Sequence, residues 1–217
     1  MTTEHGFSNV TNSTAALRPF SVAPDVWLSA RPVSVERAPV TDSDLETAAD
    51  MAEREAQRFL GARGLLRKLV ARIRPAAATA EIVVSGAGAP SLAGHDDLAV
   101  SMSQDGEWVA AVAGRTSAVG VDITEPVPGA GDRLASEYLN GYSERLVHLQ
   151  DHERDVEMAW VWTAREACRK ALGAEPSGEP LDVDVPPFSV AGQSGNLLWR
   201  SPRSLSVVPL SCAFSID

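Results

Sequence analysis

One order of elements occurs twice in this chain, and it narrows the folds open to it. Val26-Trp27-Leu28 begins a short strand, and the Pro/Val segment 32–40 connects onward. Asp42 and Ser43 are capping candidates for a helix from about 44, with Glu46 near the capping-box position and a pattern running through Met51, Ala52 and Ala56. Phe59, Leu60, Leu65, Leu66, Leu69 and Val70 recur at helical spacing and predict a second helix over about 57–73, which Pro75 ends. A strand at 81–85 and the turn-forming Gly86 to Pro90 come next. A hairpin follows, of 98–102 and 108–112 around Gln104-Asp105-Gly106-Glu107. The second half starts again with a strand at 118–123, stopped by Pro126, Pro128 and Gly129. It continues with a helical region at about 132–150, a helix at 154–172, and strands at 189–191, 197–199 and 206–214. No residue-level repeat accompanies this order, so duplication is inferred from the elements. The expectation is an α+β fold of two similar lobes, 23–115 and 116–217, after a flexible tail at 1–22. The lobes would form a pseudo-dimer with a cleft between them, a common place for ligands.

Charge and composition remove several functional classes. With 29 acidic against 19 basic residues the net charge is −10, which argues against nucleic-acid binding. The basic stretch from Arg58 to Arg74 still leaves room for a phosphate-bearing ligand. No run approaches the roughly 20 apolar residues that span a bilayer, and residues 1–20 lack a signal-peptide core. Two cysteines make a disulfide framework unnecessary and a reducing compartment the simpler setting, so a cytoplasmic protein is expected. Because both lobes lie in one chain, the expected state is a monomer.

The chemistry concentrates on the later helix. Trp162, Glu166 and Lys170 lie four residues apart and line one helical face. Asp122, 44 residues before Glu166, supplies a second carboxylate at the end of a strand. Two carboxylates can hold Mg²⁺ on a phosphate group while a lysine meets the phosphate's charge. Each residue also has a plain structural reading. Glu166 and Lys170 make an i,i+4 helix pair; Asp122 can end a strand; Ser103 and Gln104 can be turn residues; Arg67 can be a solvated helix-face cation. His148 and His152 share a helical face but have no third ligand nearby, which reads as a solvated face. Cys168 reads as packed. There is no phosphate-binding loop of P-loop or dinucleotide type and no Gly-x-Ser-x-Gly elbow.

Val119-Gly120-Val121-Asp122, followed by Trp162-Thr163-Ala164-Arg165-Glu166-Ala167-Cys168-Arg169-Lys170-Ala171, resembles the paired signature of the Sfp-type 4′-phosphopantetheinyl transferases. Leu65-Leu66-Arg67 is similar to that family's helical L-L-R element, Gly88-Ala89-Pro90 to its G-K-P turn, and Ser101 to Gln104 to its S-x-S-H segment. The resemblance covers about 25–214. It implies Mg²⁺-dependent transfer of the phosphopantetheine arm of coenzyme A to a serine of an acyl or peptidyl carrier protein, in polyketide or nonribosomal peptide biosynthesis. It implies metal ligands at Asp122 and Glu166, catalytic roles for Glu166 and Lys170, and coenzyme A contacts at Arg67, Ser103, Gln104 and Lys170. Departures fall at Thr124, where a second acid is usual and Glu125 is one place late; at Gln104, for histidine; at Ala89, for lysine; and at Arg165, for lysine. Those departures keep two alternatives open: a binding or scaffold partner in a biosynthetic pathway that has lost the activity, or an enzyme that reuses the cleft for another reaction.

Overall fold

The computed structural model describes residues 17–33, 39–86, 88–139, 141–174 and 183–216. In chain order they form β1 (Leu17–Ala23), β2 (Val26–Pro32), α1 (Asp42–Ala48), α2 (Glu53–Ile73), β3 (Ile82–Val84), β4 (Pro90–Leu92), β5 (Ala99–Asp105), β6 (Trp108–Gly114), β7 (Val119–Ile123), α3 (Gly131–Tyr138), α4 (Asp151–Ala171), β8 (Ala191–Ser194), β9 (Leu197–Arg200) and β10 (Leu210–Ser215). Short 3₁₀ turns lie at Pro75–Ala77 and Ser143–Leu146. This is a mixed α+β architecture. Two four-stranded antiparallel sheets have the orders β1-β2-β6-β5 and β7-β10-β9-β8, and β3-β4 form a separate ribbon. One connectivity recurs: β2, α2 and the hairpin β5-β6 give the order β2-β6-β5, while β7, α4 and the hairpin β9-β10 give β7-β10-β9.

The layers follow from which faces must be covered. Trp108 to Gly114 is buried at all 7 positions, as its unbroken apolar run requires of a strand covered on both sides. Val109, Ala111 and Ala113 face Leu65, Leu66, Leu69 and Val70 of α2. Trp108, Ala110 and Val112 face the other way, into a core shared with Val121, Ile123, Leu210, Cys212 and Phe214 of the second sheet. On that sheet's far side, Met158, Val161, Ala164 and Cys168 of α4 pack on Leu197, Trp199 and Ala213. Leu66 and Leu69 are wholly buried, each contributing about 1.5–3 kcal/mol.

β5 and β7 lie side by side at the junction of the two sheets but share no ladder. Serine hydroxyls substitute for it: Val121 N–H donates to Ser101 Oγ (3.2 Å) and Ile123 N–H to Ser103 Oγ (3.4 Å). Gly120 sets how closely α4 approaches this seam. A Cβ there would fall on the backbone of Ala167 and Ala171, so the strand accepts the helix only because Gly120 has no side chain.

Several expectations are corrected. The expected tail overlaps β1: Leu17, Phe20 and Val22 pack on the shared core, and Leu17–Ala23 is an edge strand on β2, a place where Pro19 is tolerated. Residues 1–16 of that tail lie outside the described residues. The capping box belongs to Thr41 and Asp44, not to Asp42 or Ser43 with Glu46. The helical pattern through Met51 and Ala52 is interrupted at 49–52 before α2 begins at Glu53. The helix expected over 132–150 stops at Tyr138, with Leu139 as its C-cap, and Gly141 beyond it has a left-handed backbone at φ +83 that a continuing helix could not take. The β5-β6 turn is shorter than expected, with Gly106 at φ +52, so Gln104 is a strand residue paired with Val109. No helix among the described residues is long and apolar enough to cross a membrane.

Candidate functional site

The site is assembled at the β5/β7 seam, where α4 crosses it. Asp122 is 8% exposed on β7. The Lys170 ammonium, reaching down from the last turn of α4, donates to Asp122 Oδ1 (2.7 Å), to Ser103 Oγ (3.1 Å) and to the Val121 carbonyl (3.1 Å). Ser103 Oγ in turn donates to Asp122 Oδ1 (2.9 Å). An ammonium has three N–H groups and no acceptor, so these contacts saturate Lys170. Burial pushes the Asp122 carboxyl above its ordinary value. Lys170 and Ser103 pull it back only in part, and the nearby Glu166 charge adds to the rise.

The rest of the predicted stripe is also engaged. Glu166 Oε2 accepts from Arg169 Nε (2.9 Å) and Nη2 (2.7 Å), a half-buried i,i+3 pair. Trp162 packs edge-on against Tyr138, with ring centroids 5.5 Å apart. Arg165 lies over the same tyrosine ring, 5.1 Å from its centroid, and donates to the Val183 carbonyl.

Three recesses surround this cluster. The largest, about 400 Å³, is walled by the Gly88-Ala89-Pro90 turn, His95, Arg169 and Lys170. A second, about 340 Å³, lies between α2 and β5 against Phe59, Arg63, Ser103, Gln104 and Lys170. Met102 and Lys170 are common to both and separate them. A third, about 210 Å³, opens beside Trp162, Tyr138 and Leu134. Arg63 and Lys170 are the charged groups lining the second recess, which is notable in so acidic a chain.

Ser103, Asp122, Lys170 and Gln104 are therefore brought together, with Glu166 near enough for its charge to reach Asp122. Arg67 is not among them. Its guanidinium is 3% exposed and donates from all three nitrogens inside the first half, to Asp44 Oδ2, the Ala78 and Ala80 carbonyls and Thr41 Oγ1. As placed it is a strut between α1, α2 and the segment after Pro75, which corrects the expectation that it meets a ligand. Arg63, one helical turn earlier on the same side of α2, is the arginine that reaches a recess. The i,i+4 spacing of Arg63 and Arg67 was a signal that could have found it.

Thr124 and Glu125 turn away from Asp122. Thr124 Oγ1 donates to Asp105 Oδ2 (2.9 Å), the Glu125 amide donates to the same oxygen (2.7 Å), and the Glu125 carboxylate lies against the turn at Gly106. Ala89 donates only a backbone N–H, to Ser85 Oγ (3.2 Å). His148 and His152 are exposed, and His148 precedes α4, so they share no helical face. Cys168 is fully buried and burial pushes its thiol up to about 12, which leaves no reactive thiolate at neutral pH.

Among the described residues no three His, Cys, Asp or Glu side chains gather into a metal site. An ion at Asp122 and Glu166 would take at most two protein carboxylates and fill its shell from phosphate oxygens and water. Mg²⁺ accepts that pattern, since it is commonly held by one or two carboxylates plus substrate phosphates. The donor chemistry suits an ion completed by its ligand and not a preformed cage, with Asp122 now held by Lys170 and Glu166 by Arg169. No family model matches the chain, and no curated protein matches it.

Proposed function

We propose that this chain transfers the 4′-phosphopantetheine arm of coenzyme A to a serine of an acyl or peptidyl carrier protein, with the cleft at the sheet junction as its active site. The observation that carries the reading is convergence. Of the positions aligned with the family, Ser103, Gln104, Lys170 and the Gly88-Ala89-Pro90 turn line two adjoining recesses at one seam, and Asp122 is bonded there to Lys170 and Ser103. The recurring strand–helix–hairpin connectivity supports the two-lobed, pseudo-dimeric form of that family.

In this reading the diphosphate of coenzyme A lies along the septum formed by Lys170, with the two recesses receiving the groups on either side. Mg²⁺, held through Asp122 and Glu166, would neutralise charge on that diphosphate, as phosphoryl transfer requires. The carrier serine oxygen forms a bond to the β-phosphorus as the bond to the bridging oxygen breaks, and 3′,5′-ADP leaves. Glu166, or a water it orients, takes the serine proton. Lys170 stabilises the leaving group once released from its present partners.

The test uses purified protein, coenzyme A, Mg²⁺ and a panel of apo carrier proteins, read by mass spectrometry. The expected result is a gain of one phosphopantetheine arm, with Glu166→Gln slowing transfer by about 10²-fold or more. A specific observation favours a second reading, a binding protein that has lost this activity: Asp122, Glu166 and Thr124 are each tied to a side chain of the protein itself. No transfer with any carrier, together with no coenzyme A binding by calorimetry, selects that reading.

A further inference from the structure

Lys170 stands where an added cation would stand. Three acceptors converge on its ammonium: a carboxylate oxygen, a hydroxyl and a backbone carbonyl, at 2.7, 3.1 and 3.1 Å. That is an oxygen-lined cation site with the cation supplied by α4. Two consequences follow from charge and valence. First, a divalent ion on Asp122 would sit beside a positive ammonium in a place where Asp122 is only 8% exposed, so water screens their repulsion poorly. Second, a phosphate can gain a Lys170 hydrogen bond only if one of the three present bonds is released, because no N–H is free. The exit is available, because Lys170 lines both recesses and its side chain is 28% exposed. Arg169 borders the larger recess and Arg63 the smaller, each already paired, with Glu166 and Asp44 respectively.

We propose that Lys170 is a latch: it holds Asp122 closed to divalent metal until a phosphate-bearing ligand draws the ammonium off, so that phosphate loads first and metal second. The idea rests on the transferase reading for the identity of the ligand, and concerns how that same cleft is regulated. Gly120 makes the latch possible, since only a glycine lets α4 lie close enough to β7 for Lys170 to reach the Val121 carbonyl.

The experiment titrates the full chain with Mn²⁺ in the absence of phosphate and reads the free ion by electron paramagnetic resonance. A latch closed nine-tenths of the time lowers apparent affinity about tenfold. Lys170→Met should therefore bind Mn²⁺ about tenfold more tightly than wild type, and adding Asp122→Asn to it should remove the gain. Equal affinity in wild type and Lys170→Met, or a gain that survives Asp122→Asn, overturns the latch. Should Lys170→Met fail to fold, wild type still decides the matter. Inorganic pyrophosphate without metal should shift the slowly exchanging lysine ammonium signal in ¹⁵N NMR that Lys170→Arg removes, and no shift defeats the proposal. Transfer is scored separately on wild type. Transfer without a Mn²⁺ gain sinks the latch and leaves the transferase, whereas a gain without transfer does the reverse.

Discussion

Two buried carboxylates, each facing cations, behave in opposite ways in this molecule. Asp44, in the first half, has a side chain 1% exposed and receives Arg63 Nη1 and Arg67 Nε, both at 2.8 Å. Burial pushes it upward, but hydrogen bonds from Arg67, the Thr41 backbone and Arg63 outweigh that and hold it at about 2. Asp122, at the seam, faces one lysine and one serine, and there burial wins. The difference is the number of donors. Two guanidiniums fix Asp44 as a permanent anion inside a strut. A single ammonium, itself able to leave, offsets the burial of Asp122 only in part. A fixed anion suits a framework, and a partly compensated one suits a site where another cation is meant to arrive.

The comparison breaks first at Asp44. Asp44→Asn leaves two arginines buried without their counter-ion, and should cost about 3–5 kcal/mol, read as a lower urea midpoint at unchanged slope. A loss under about 1 kcal/mol would remove the strut from the account. In wild type the Asp44 contribution is complete above the ordinary carboxylate value of 3.8 and is lost as pH falls through about 2. Its size is about 2 kcal/mol, and Asp44→Asn should lack that acid limb. Next in size is Gly120→Ala, whose methyl meets the Ala167 and Ala171 backbone. Overpacking there should cost about 1–3 kcal/mol and lift Lys170 from Asp122. Because the second effect touches the site, transfer should fall further than stability alone accounts for. Proportionate losses would argue that the close approach serves packing only.

How legible this was depended on whether a residue's job is local. The α2 and α4 helices, the strands of the β5-β6 hairpin and Asp122 at a strand end were all readable, since apolar period and turn chemistry declare them within a few residues. β1 was missed because Pro19 and the polar residues before it mask an edge strand whose apolar positions are set by a distant core. The end of α3 at Tyr138 was missed because helix periodicity around Leu134 and Leu146 runs on through Gly141, whose backbone is left-handed. At the site, Asp122 and Lys170 were legible as residues but their mutual bond was not, since 48 residues separate them and only the fold makes them neighbours. Arg67 failed for the opposite reason. A basic helix face looks solvated in one dimension, and its partner Asp44 lies on a different helix.

A smaller test asks whether the seam itself is held by hydroxyls. Ser101→Ala leaves the buried Val121 N–H without its acceptor and should cost about 1–2 kcal/mol. A neutral result would mean the sheets adhere through their shared apolar core alone.

The smallest effect on stability, and the sharpest contrast with Asp44, is expected at Asp122→Asn. An amide keeps the oxygen that Lys170 and Ser103 donate to, loses the ion-pair attraction and escapes the burial penalty on a charge. These changes oppose one another, so stability at neutral pH should move by less than about 1 kcal/mol while transfer is lost. The pH response carries the sign. Because Asp122 is raised in the folded state, folding takes up a proton, and its contribution is fully present below 3.8 and lost as pH rises through the raised value. Between those two points wild type should gain stability on acidification where Asp122→Asn does not, the reverse of the Asp44 limb. Melting temperatures of wild type, Asp44→Asn and Asp122→Asn, followed from about pH 2 up through that window, separate the two carboxylates, the Asp44 limb lying below 3.8 and the Asp122 limb above it. Parallel curves for wild type and Asp122→Asn would mean that Lys170 holds Asp122 as firmly as the arginines hold Asp44, and that the seam carries a second strut in place of a partly compensated site.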